Sequence, residues 1–560
     1  MDPQPVHIIW HITNACNLRC GYCYAKAFEQ KPEESNYDLI VRRINESKVK
    51  ILSIIGGEPL LVEELPRIVK KIRKDIYINI ESNITLIKDK WDSVYKRTSF
   101  STTVDGPNAK IHNRTRGLFN KVIEGIKFLL HKGVEVRVNI VVNKHNYRYL
   151  DQTVKFLSKI GINRICLGQV RCFGLPKKED FLLSEKEYEE AIEKVLKIRQ
   201  ENKNLIISLN GWYDPRIFKE GYFYKPSCFC GVWRVTIDWN GRCYPCELMA
   251  FYKSPLCEEA GLLEHESIKE IMRKNDLFRN FREATFKYFP LSCKECKYKN
   301  LCNHGCRYIA YLNSGTLFGK NIYCKVRKPD IYDVLGLEYY LPDNKYAKAR
   351  YSGKLADFLR NNIEKINKPL LDVGCGAGLW TFFLAKLGKR VIGIDSKQEM
   401  IALAKYYLKK ENKKISSKVK FYNESLKDYK LKDIQSALFL GNTLGHFSFN
   451  EFEEAIKKLK ENKVKNIILE YMDLSRLIFN SDIEFEWCGH RFKEKYRKLS
   501  KDSFLRTIKN LENGLKVQLK GYIWTRERVK KIMEEYNYHL EKEIQEKNNI
   551  VQLFTCLENC

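Results

Sequence analysis

The sequence predicts an α/β protein of several domains, and three observations carry that prediction. At 560 residues the chain is too long for one hydrophobic core. Over its first third, short apolar runs alternate with amphipathic stretches, which predicts parallel strands joined by helical crossovers. From about residue 368, another apolar run leads into a glycine-rich turn and a helix, the pattern of a nucleotide-binding fold. A cysteine-rich segment separates the two regions.

Six strand–helix units are predicted in the first third, and they favour an open or partial (β/α)6 barrel. The predicted strands cover residues 6–12, 50–55, 77–81, 100–104, 135–142 and 164–170. The carboxyl ends of parallel strands in a barrel meet at one rim, where catalytic groups gather. The residues that follow these strands are therefore the first candidates for a site.

Three cysteines follow the first predicted strand: Cys16, Cys20 and Cys23, within residues 16–23, here called the cysteine loop. Three thiolates can hold three irons of a 4Fe–4S cluster and leave the fourth iron free for another ligand. A closed structural site wants four protein ligands. The alternative is therefore a zinc site that takes its fourth ligand from a distant residue.

Other candidate contacts follow the neighbouring strands. Gly56-Gly57-Glu58-Pro59 comes after the second strand, and paired glycines there would let the backbone approach a ligand closely. The fourth strand contains Ser101 and the fifth contains Asn139. Each is an ordinary turn or strand signal alone, but together they predict ligand-contacting groups on one rim.

The C-x3-C-x2-C spacing, with Tyr22 before the last cysteine and Gly-Gly-Glu-Pro downstream, resembles the radical S-adenosylmethionine (radical SAM) superfamily. The later Val104-Asp-Gly-Pro107, with His112 and Arg116, resembles its peptide-modifying branch. The resemblance implies a 4Fe–4S cluster on the cysteine loop whose open iron chelates SAM. One-electron reduction would then cleave SAM to a 5′-deoxyadenosyl radical that abstracts a substrate hydrogen. The SAM contacts it implies are Gly56, Gly57, Glu58, Ser101 or Thr103, and Asn139.

The middle of the chain is rich in cysteine. Ten of the 19 cysteines fall between Cys228 and Cys324, and without a secretion signal this clustering predicts metal ligation in a reducing cytoplasm. The spacing is similar to the seven-cysteine SPASM extension, which implies two auxiliary 4Fe–4S clusters. The ligands implied are Cys230, Cys246 and Cys306 for the first cluster, and Cys293, Cys296, Cys302 and Cys324 for the second. A zinc ribbon over residues 293–306 is the alternative.

Several further residues of this segment remain to be assigned. Cys228 and Cys243 are not among the seven cysteines of the pattern. Either could complete the first cluster, or both could be free buried thiols. For Cys243 a free buried thiol is the favoured prediction. Glu247 directly follows Cys246, where relatives place a carboxylate base, and it is either a general base or a surface glutamate. Three further cysteines, Cys257 of this segment and the earlier Cys166 and Cys172, have no place in the pattern and are predicted core residues.

The last 220 residues carry Asp372-Val-Gly374-Cys-Gly376-Ala-Gly378, followed by a strand that ends in Asp395. Such glycines permit a tight turn, and an acidic residue about twenty positions on binds a ribose diol. The motif resembles the Rossmann-like class I SAM-dependent methyltransferases, with Asp372 and the glycines at the methionine end of SAM and Asp395 at the ribose. Residues 515–524 and 551–557, with a helix at 526–536 between them, are expected to close the sheet with antiparallel strands.

The sequence therefore predicts three domains: a radical SAM partial barrel at 1–215, an auxiliary-cluster domain at 216–335 and a methyltransferase at 345–560. We expect a bifunctional cytoplasmic enzyme that modifies a peptide or protein side chain and transfers a methyl group from a second SAM. Its expected partners are the peptide substrate and a reductant such as ferredoxin or flavodoxin, with no membrane. The net charge of +30 is spread along the chain, so a Lys- and Glu-rich surface explains it at least as well as RNA does. Modification of a tRNA base or another small nucleoside is the alternative function.

Overall fold

The computed structural model describes most of the chain in two compact units. The described residues are 3–23, 32–170, 180–219, 230–251, 254–286, 345–366, 369–475, 479–487, 490–511 and 516–556, with 293, 296, 298, 302, 305–314, 317–319, 321, 324, 341 and 342. The first unit comprises Met1–Lys287, Lys297–Tyr308 and Tyr323–Val326, and the second comprises Tyr288–Cys296, Ile309–Ile322 and Arg327–Cys560. The predicted boundaries at 215 and 335 stay predictions.

The first unit is built on one ten-stranded sheet in the order β10-β9-β8-β1-β2-β3-β4-β5-β6-β7. Strands β1 to β7 and the β8–β1 pair are parallel, whereas β9 and β10 are antiparallel to their neighbours. The strands are β1 His7–His11, β2 Ile51–Ile55, β3 Tyr77–Glu81, β4 Thr98–Thr103, β5 Glu135–Val142, β6 Arg164–Gln169, β7 Ile206–Asn210, β8 Arg234–Ile237, β9 Arg242–Tyr244 and β10 Gly261–Leu262. All six predicted strands are present.

Helices connect these strands. The α-helices are Tyr37–Glu46, Leu65–Lys71, Ala109–His112, Phe119–His131, Leu150–Lys159, Glu185–Glu201, Pro215–Lys219, Glu247–Phe251, Ile268–Lys274 and Asp276–Phe286, and the 3-10 helices are Pro59–Leu61, Ser93–Arg97, Tyr147–Tyr149 and Pro255–Glu259. One more helix, Arg307–Ser314, follows them in the chain.

The two faces of this sheet differ in polarity. One face is apolar and packs in a large core with the helices, through side chains such as Trp10, Ile54 and Ile80. The alternate residues form the other face, which carries Ser53, Asn79 and many further polar groups. We call it the polar face. A chain that keeps so many polar groups on one face of a sheet needs water or a ligand there.

The sheet extends past the six predicted units on both sides. Strand β7 pairs with β6, and β8 from the cysteine-rich segment pairs in parallel with the free edge of β1, His7 facing Arg234 and Trp10 facing Ile237. The first strands of the cysteine-rich segment therefore belong to the same sheet as β1, the strand that precedes the cysteine loop.

The second unit contains a seven-stranded sheet in the order β13-β12-β11-β14-β15-β21-β20. Its strands are β11 Leu370–Val373, β12 Val391–Ile394, β13 Val419–Tyr422, β14 Ser436–Phe439, β15 Asn466–Met472, β20 Tyr538–Glu546 and β21 Asn549–Cys556. The helices are Lys345–Tyr351, Lys354–Asn361, Leu379–Lys386, Gln398–Lys410, Lys413–Ser416, Phe449–Glu461 and Arg526–Glu535, with the 3-10 helix Thr443–His446. This is the Rossmann-like arrangement that the sequence predicts.

One prediction for the closing strands is wrong. The segment 515–524 forms β19 Lys516–Tyr522, which belongs to a separate four-stranded antiparallel sheet with β16 Asp482–Trp487, β17 His490–Lys498 and β18 Ser503–Asn510. The strand that closes the large sheet beside β21 is β20, its hairpin partner. Strand propensity shows that a segment is extended but not which edge it joins, because pairing is decided by non-local contacts. In the described part of the chain, no helix is long and apolar enough to cross a membrane.

Candidate functional site

The residues that lead from β1 into the cysteine loop lie against the Gly-Gly-Glu segment at the carboxyl end of β2. The Gly57 amide donates to Thr13 O at 2.8 Å and the Glu58 amide donates to Ala15 O at 2.7 Å. A Cβ atom on Gly57 would lie 2.1 Å from Ala15 O, and one on Gly56 would lie 2.6 Å from Thr13 O. Both glycines are therefore needed for the close approach of two backbone segments of this chain.

Glu58 has a different environment from the two glycines. Its carboxylate is fully buried and accepts hydrogen bonds from the Ser82 hydroxyl at 2.7 Å and from the Asn83 amide at 2.7 Å. Burial raises the pKa of this carboxyl, and these hydrogen bonds act against the rise. Asn83 in turn donates to Asn17 Oδ1 at 2.7 Å, so the end of β3 also positions the cysteine loop.

The three thiols of the cysteine loop are partly exposed and close enough to act on one another. Burial raises the pKa of Cys16 to about 11, and the charges of Glu58, Cys20 and Cys23 raise it further while the Leu18 amide lowers it. Three thiolates this close together repel one another unless bound metal ions offset their negative charges. Three adjacent sulfur donors on one loop fit three irons of a 4Fe–4S cluster.

A polar network that the sequence did not reveal lies behind this loop. The Arg116 guanidinium donates to the Tyr22 hydroxyl at 3.0 Å, and that hydroxyl donates to the Asp105 carboxylate. Asp105 is fully buried and also accepts from the Val141 amide at 2.9 Å. The sequence signal was present in the Val104-Asp-Gly-Pro107, His112 and Arg116 motif, but spacing alone does not show what these residues contact.

Glu247 lies at the start of the short helix Glu247–Phe251. This helix covers part of the polar face, because Phe251 packs on Ile9 and Ile55 and its ring lies 4.1 Å from that of His11. The Glu81 side chain is exposed at the end of β3. Desolvation by the surrounding protein raises the pKa of its carboxyl, the charge of Glu247 raises it further, and the charges of Arg137 and Arg234 lower it. Two carboxylates and two guanidinium groups therefore share this region.

The two predicted SAM contacts on β4 and β5 differ in accessibility. Ser101 is 2% exposed, and its hydroxyl donates to Asn79 Oδ1 at 3.0 Å. Asn139 is partly exposed on the polar face and accepts from Arg137 at 3.4 Å. Of the two, Asn139 is the one whose side chain a ligand can reach.

The predicted ligands of the first auxiliary cluster are brought together. Cys230, Cys246 and Cys306 are all buried, and the thiol of Cys246 is within hydrogen-bonding reach of the other two. These contacts, with burial, raise the pKa of Cys246 well above its usual range. As in the cysteine loop, the donor set fits an iron–sulfur cluster.

The remaining cysteines have varied surroundings. In the second predicted set, the Cys296 amide donates to Cys293 O at 3.1 Å. That these two cysteines share one cluster with Cys302 and Cys324 stays a prediction. Cys243 is fully buried in the apolar core, as expected of a free thiol, and Cys166 and Cys257 are buried too. Cys228 and Cys172 lie outside the described residues. In the described part of the chain, no three His, Cys, Asp or Glu side chains are grouped to hold a single metal ion.

The glycine turn of the second unit, residues 374–378, connects β11 to helix Leu379–Lys386. Its three glycines have φ of +68°, +55° and +90°, backbone conformations that residues other than glycine rarely adopt. A Cβ atom on Gly374 would lie 2.6 Å from Thr443, and one on Gly378 would lie 2.8 Å from Phe382. A Cβ on Gly376 would meet nothing within 4 Å, so this glycine faces open space in which a ligand fits.

Two buried carboxylates flank the glycine turn. Asp395 accepts from the Gly376 amide at 3.0 Å and from the Lys397 amide at 2.7 Å. Asp372 accepts from the Thr381 hydroxyl at 2.6 Å, and burial raises the pKa of its carboxyl to about 7, with the charge of Asp395 adding to the rise. The residues fit SAM, because the turn offers space beside acidic groups for an amino group and a ribose.

Comparison with known families identifies three regions of the chain. Residues 10–157 match the radical SAM superfamily, residues 228–297 match the SPASM iron–sulfur cluster-binding domain, and residues 370–463 match a methyltransferase domain. The three domains occur in the predicted order, and they establish an enzyme whose cofactors are 4Fe–4S clusters and SAM.

Individual relatives are distant. A cysteine-type anaerobic sulfatase-maturating enzyme of Clostridium novyi (strain NT) is 26% identical over 345 residues, which span 55% of this chain and 90% of the relative. An AdoMet-dependent heme synthase of Oleidesulfovibrio alaskensis is 25% identical over 353 residues, which span 57% and 86%. The solved structure of Streptococcus suis SuiB bound to S-adenosylmethionine is 17% identical, covers 58% of this chain and 78% of that chain, and has a TM-score of 0.48.

Proposed function

We propose, on the premise that this chain is a radical SAM enzyme with a SPASM domain and a fused methyltransferase domain, that it modifies a peptide or protein side chain and methylates the product. The observation that carries the proposal is Glu247, whose helix covers part of the polar face and whose charge acts on the Glu81 carboxyl there. A relative named as a sulfatase-maturating enzyme supports a protein substrate.

The chain's own residues would divide the work at the first site. Cys16, Cys20 and Cys23 would hold the cluster, and Asn139 with the Gly-Gly segment would contact SAM. When bound, these cofactors supply one-electron, hydrogen-abstracting chemistry, for which ferredoxin or flavodoxin would be the reductant. Glu247 would accept the proton that the substrate loses.

The second site would finish the modification. Asp372 and the glycine turn would bind the methionine end of a second SAM, and Asp395 would bind its ribose. Glu470 would have a structural role there, because its carboxylate accepts from the Gly441 amide at 2.5 Å and from Asn549 at 3.0 Å. Fusion of both domains in one chain supports a shared substrate, and a reducing cytoplasm would suit the many thiols.

The test begins with anaerobic reconstitution of the full chain, which should bind about twelve irons if it holds three cubane clusters. The reduced enzyme is then given methyl-labelled SAM with either a peptide pool or an RNA pool from the cells that make it. Label in the peptide fraction supports the proposal. Label in RNA alone, with binding that weakens steeply as salt rises, overturns it in favour of tRNA or nucleoside modification.

Two variants ask whether the domains share a substrate. Cys16→Ala disables the first site, and Asp395→Ala disables the second. If the methyl acceptor is the product of the first reaction, Cys16→Ala abolishes labelling although its methyltransferase site is intact. Undiminished labelling in Cys16→Ala would show instead that methyl transfer does not require the first reaction, and it would overturn the proposal that the product is methylated.

A further inference from the structure

The Val104-Asp-Gly-Pro107 segment, with His112 and Arg116, has no part in the proposed reaction, yet it converges on the cysteine loop. The Gly21 amide donates to Thr115 O at 2.8 Å, which ties the loop to this segment. Tyr22 lies between the Arg116 guanidinium and the Asp105 carboxylate and is 8% exposed. The segment thus places one cation and one carboxylate directly behind a cluster-binding loop.

The hydrogen bonds fix where the protons of this network lie. A guanidinium can only donate, so the Tyr22 oxygen accepts from Arg116, and the tyrosine proton points to Asp105. The Asp105 amide donates to His112 Nδ1 at 3.1 Å, which leaves the histidine proton on Nε2, 3.2 Å from Gly117 O. His112 is then neutral, and burial lowers its pKa to about 4. The charged groups of the network are therefore Arg116 and Asp105. Burial raises the pKa of the Asp105 carboxyl, and the Arg116 charge and the hydrogen bonds from Tyr22 and Val141 act against the rise.

We propose that Arg116 and Asp105, connected through Tyr22, set the reduction potential of the iron–sulfur cluster on the cysteine loop. Reduction adds one negative charge to a cluster, and charges and hydrogen bonds beside the sulfurs shift its potential. In a poorly solvated site a nearby cation stabilises the reduced form, and a nearby carboxylate destabilises it. The two residues act in opposite directions, and Tyr22 holds them in place.

The hydrogen bonds indicate which residue dominates. The Asp105 carboxylate accepts from the Tyr22 and Thr115 hydroxyls and from the Val141 amide, and these bonds offset its negative charge. The Arg116 guanidinium always carries its proton, so the field of the pair favours negative charge on the cluster. A potential raised in this way would make it easier for a biological reductant to charge the cluster. The inference rests on the cluster assignment and is independent of the substrate.

The test is a redox titration of the reconstituted full chain, followed by electron paramagnetic resonance. The relevant cluster is the one whose signal changes when SAM is added and is absent in Cys16→Ala. We expect Arg116→Gln to lower its midpoint potential, Asp105→Asn to raise it by less, and Arg116→Lys to leave it near the native value. Arg114→Gln is the matched control, because Arg114 is an exposed arginine of the same segment.

Opposite shifts in Arg116→Gln and Asp105→Asn, at native iron content, support the proposal, because a merely structural role would not produce shifts of opposite sign. Shifts in the same direction, or none, overturn it. If Arg116→Gln does not retain iron, Asp105→Asn decides alone: an unchanged or lowered potential overturns the proposal. Failure of the peptide-labelling experiment would leave this titration unaffected, so the two proposals fail separately.

Discussion

The cysteine loop of the first unit and the glycine turn of the second are both expected to hold SAM, yet the chain builds them differently. The loop offers side chains, three thiols that a buried network and two backbone contacts hold in place. The turn contributes the backbone of three glycines at positive φ, and open space lies beside the central one. The first site depends on an inorganic centre that the protein must support, whereas the second combines the conformation of the turn with the carboxylates of Asp372 and Asp395.

Glycine has a different purpose in each site. Gly56 and Gly57 lie where any Cβ would collide with the backbone of the neighbouring loop. Gly376 lies where a Cβ would meet nothing, and only its φ of +55° disfavours a side chain. Glycine motifs in a sequence can therefore indicate close packing within the chain, a strained turn or room for a ligand, and only the tertiary contacts distinguish these.

The largest expected effect tests whether the two sites are independent. Cys20→Ala removes a cluster ligand, so bound iron should fall from about twelve to about eight per chain and cleavage of SAM should cease. Binding of S-adenosylhomocysteine at the second site, measured by calorimetry, should be unchanged. Cys166→Ala, at a buried thiol of β6, is the control and should keep its iron. Retention of all the iron in Cys20→Ala would contradict the assignment.

A pair of glycine substitutions tests the two purposes of glycine. Gly57→Ala places a Cβ 2.1 Å from Ala15 O, so the cysteine loop must move and most of the iron at this site should be lost. Gly376→Ala meets no atom, and it should cost only the roughly 1–2 kcal/mol of a left-handed residue with a side chain. Iron analysis and thermal unfolding measure the two effects. If both variants lost the same amount of iron and of thermal stability, the two glycines would not have the different purposes proposed for them.

Proton transfer should matter at the first site through Glu247. Glu247→Gln keeps the shape of the side chain but cannot accept a proton, so product formation should fall by roughly 10²- to 10⁴-fold. Cleavage of SAM and iron content should stay native. The peptide-pool assay with mass-spectrometric detection measures the product, and Glu264→Gln, at an exposed glutamate, is the matched control. Native turnover in Glu247→Gln would make this residue a bystander.

The smallest expected effect is a pH dependence confined to the second site. Burial raises the pKa of Asp372 to about 7, so the carboxyl is protonated below that pH and ionised above it. Only the ionised form can pair with the ammonium of the ligand, so affinity for S-adenosylhomocysteine should rise by roughly tenfold per pH unit up to about pH 7 and then level off. Asp372→Asn should bind weakly at every pH. A flat profile in the native protein would refute the pairing.

Much of the fold followed from local pattern. All six predicted strands of the first sheet are present, because apolar runs with turn signals are a property of the segment itself. The partners of β8 and β19 did not follow: β8 adds to β1, and β19 joins a sheet apart from the methyltransferase core. Both pairings are between segments distant in sequence, and strand propensity carries no information on them.

The candidate sites divide in the same way. The sequence by itself determined which groups are available for binding, because the thiols of the cysteine loop lie close together in the chain and so do the glycines of the turn. Only the tertiary structure decided what supports that chemistry. It brought Arg116 to Tyr22 across 94 residues and placed the helix of Glu247 over the polar face, where the Glu247 charge acts on Glu81. The reason is physical: spacing fixes which ligands can share one centre, whereas the field around the centre comes from side chains that only folding brings near.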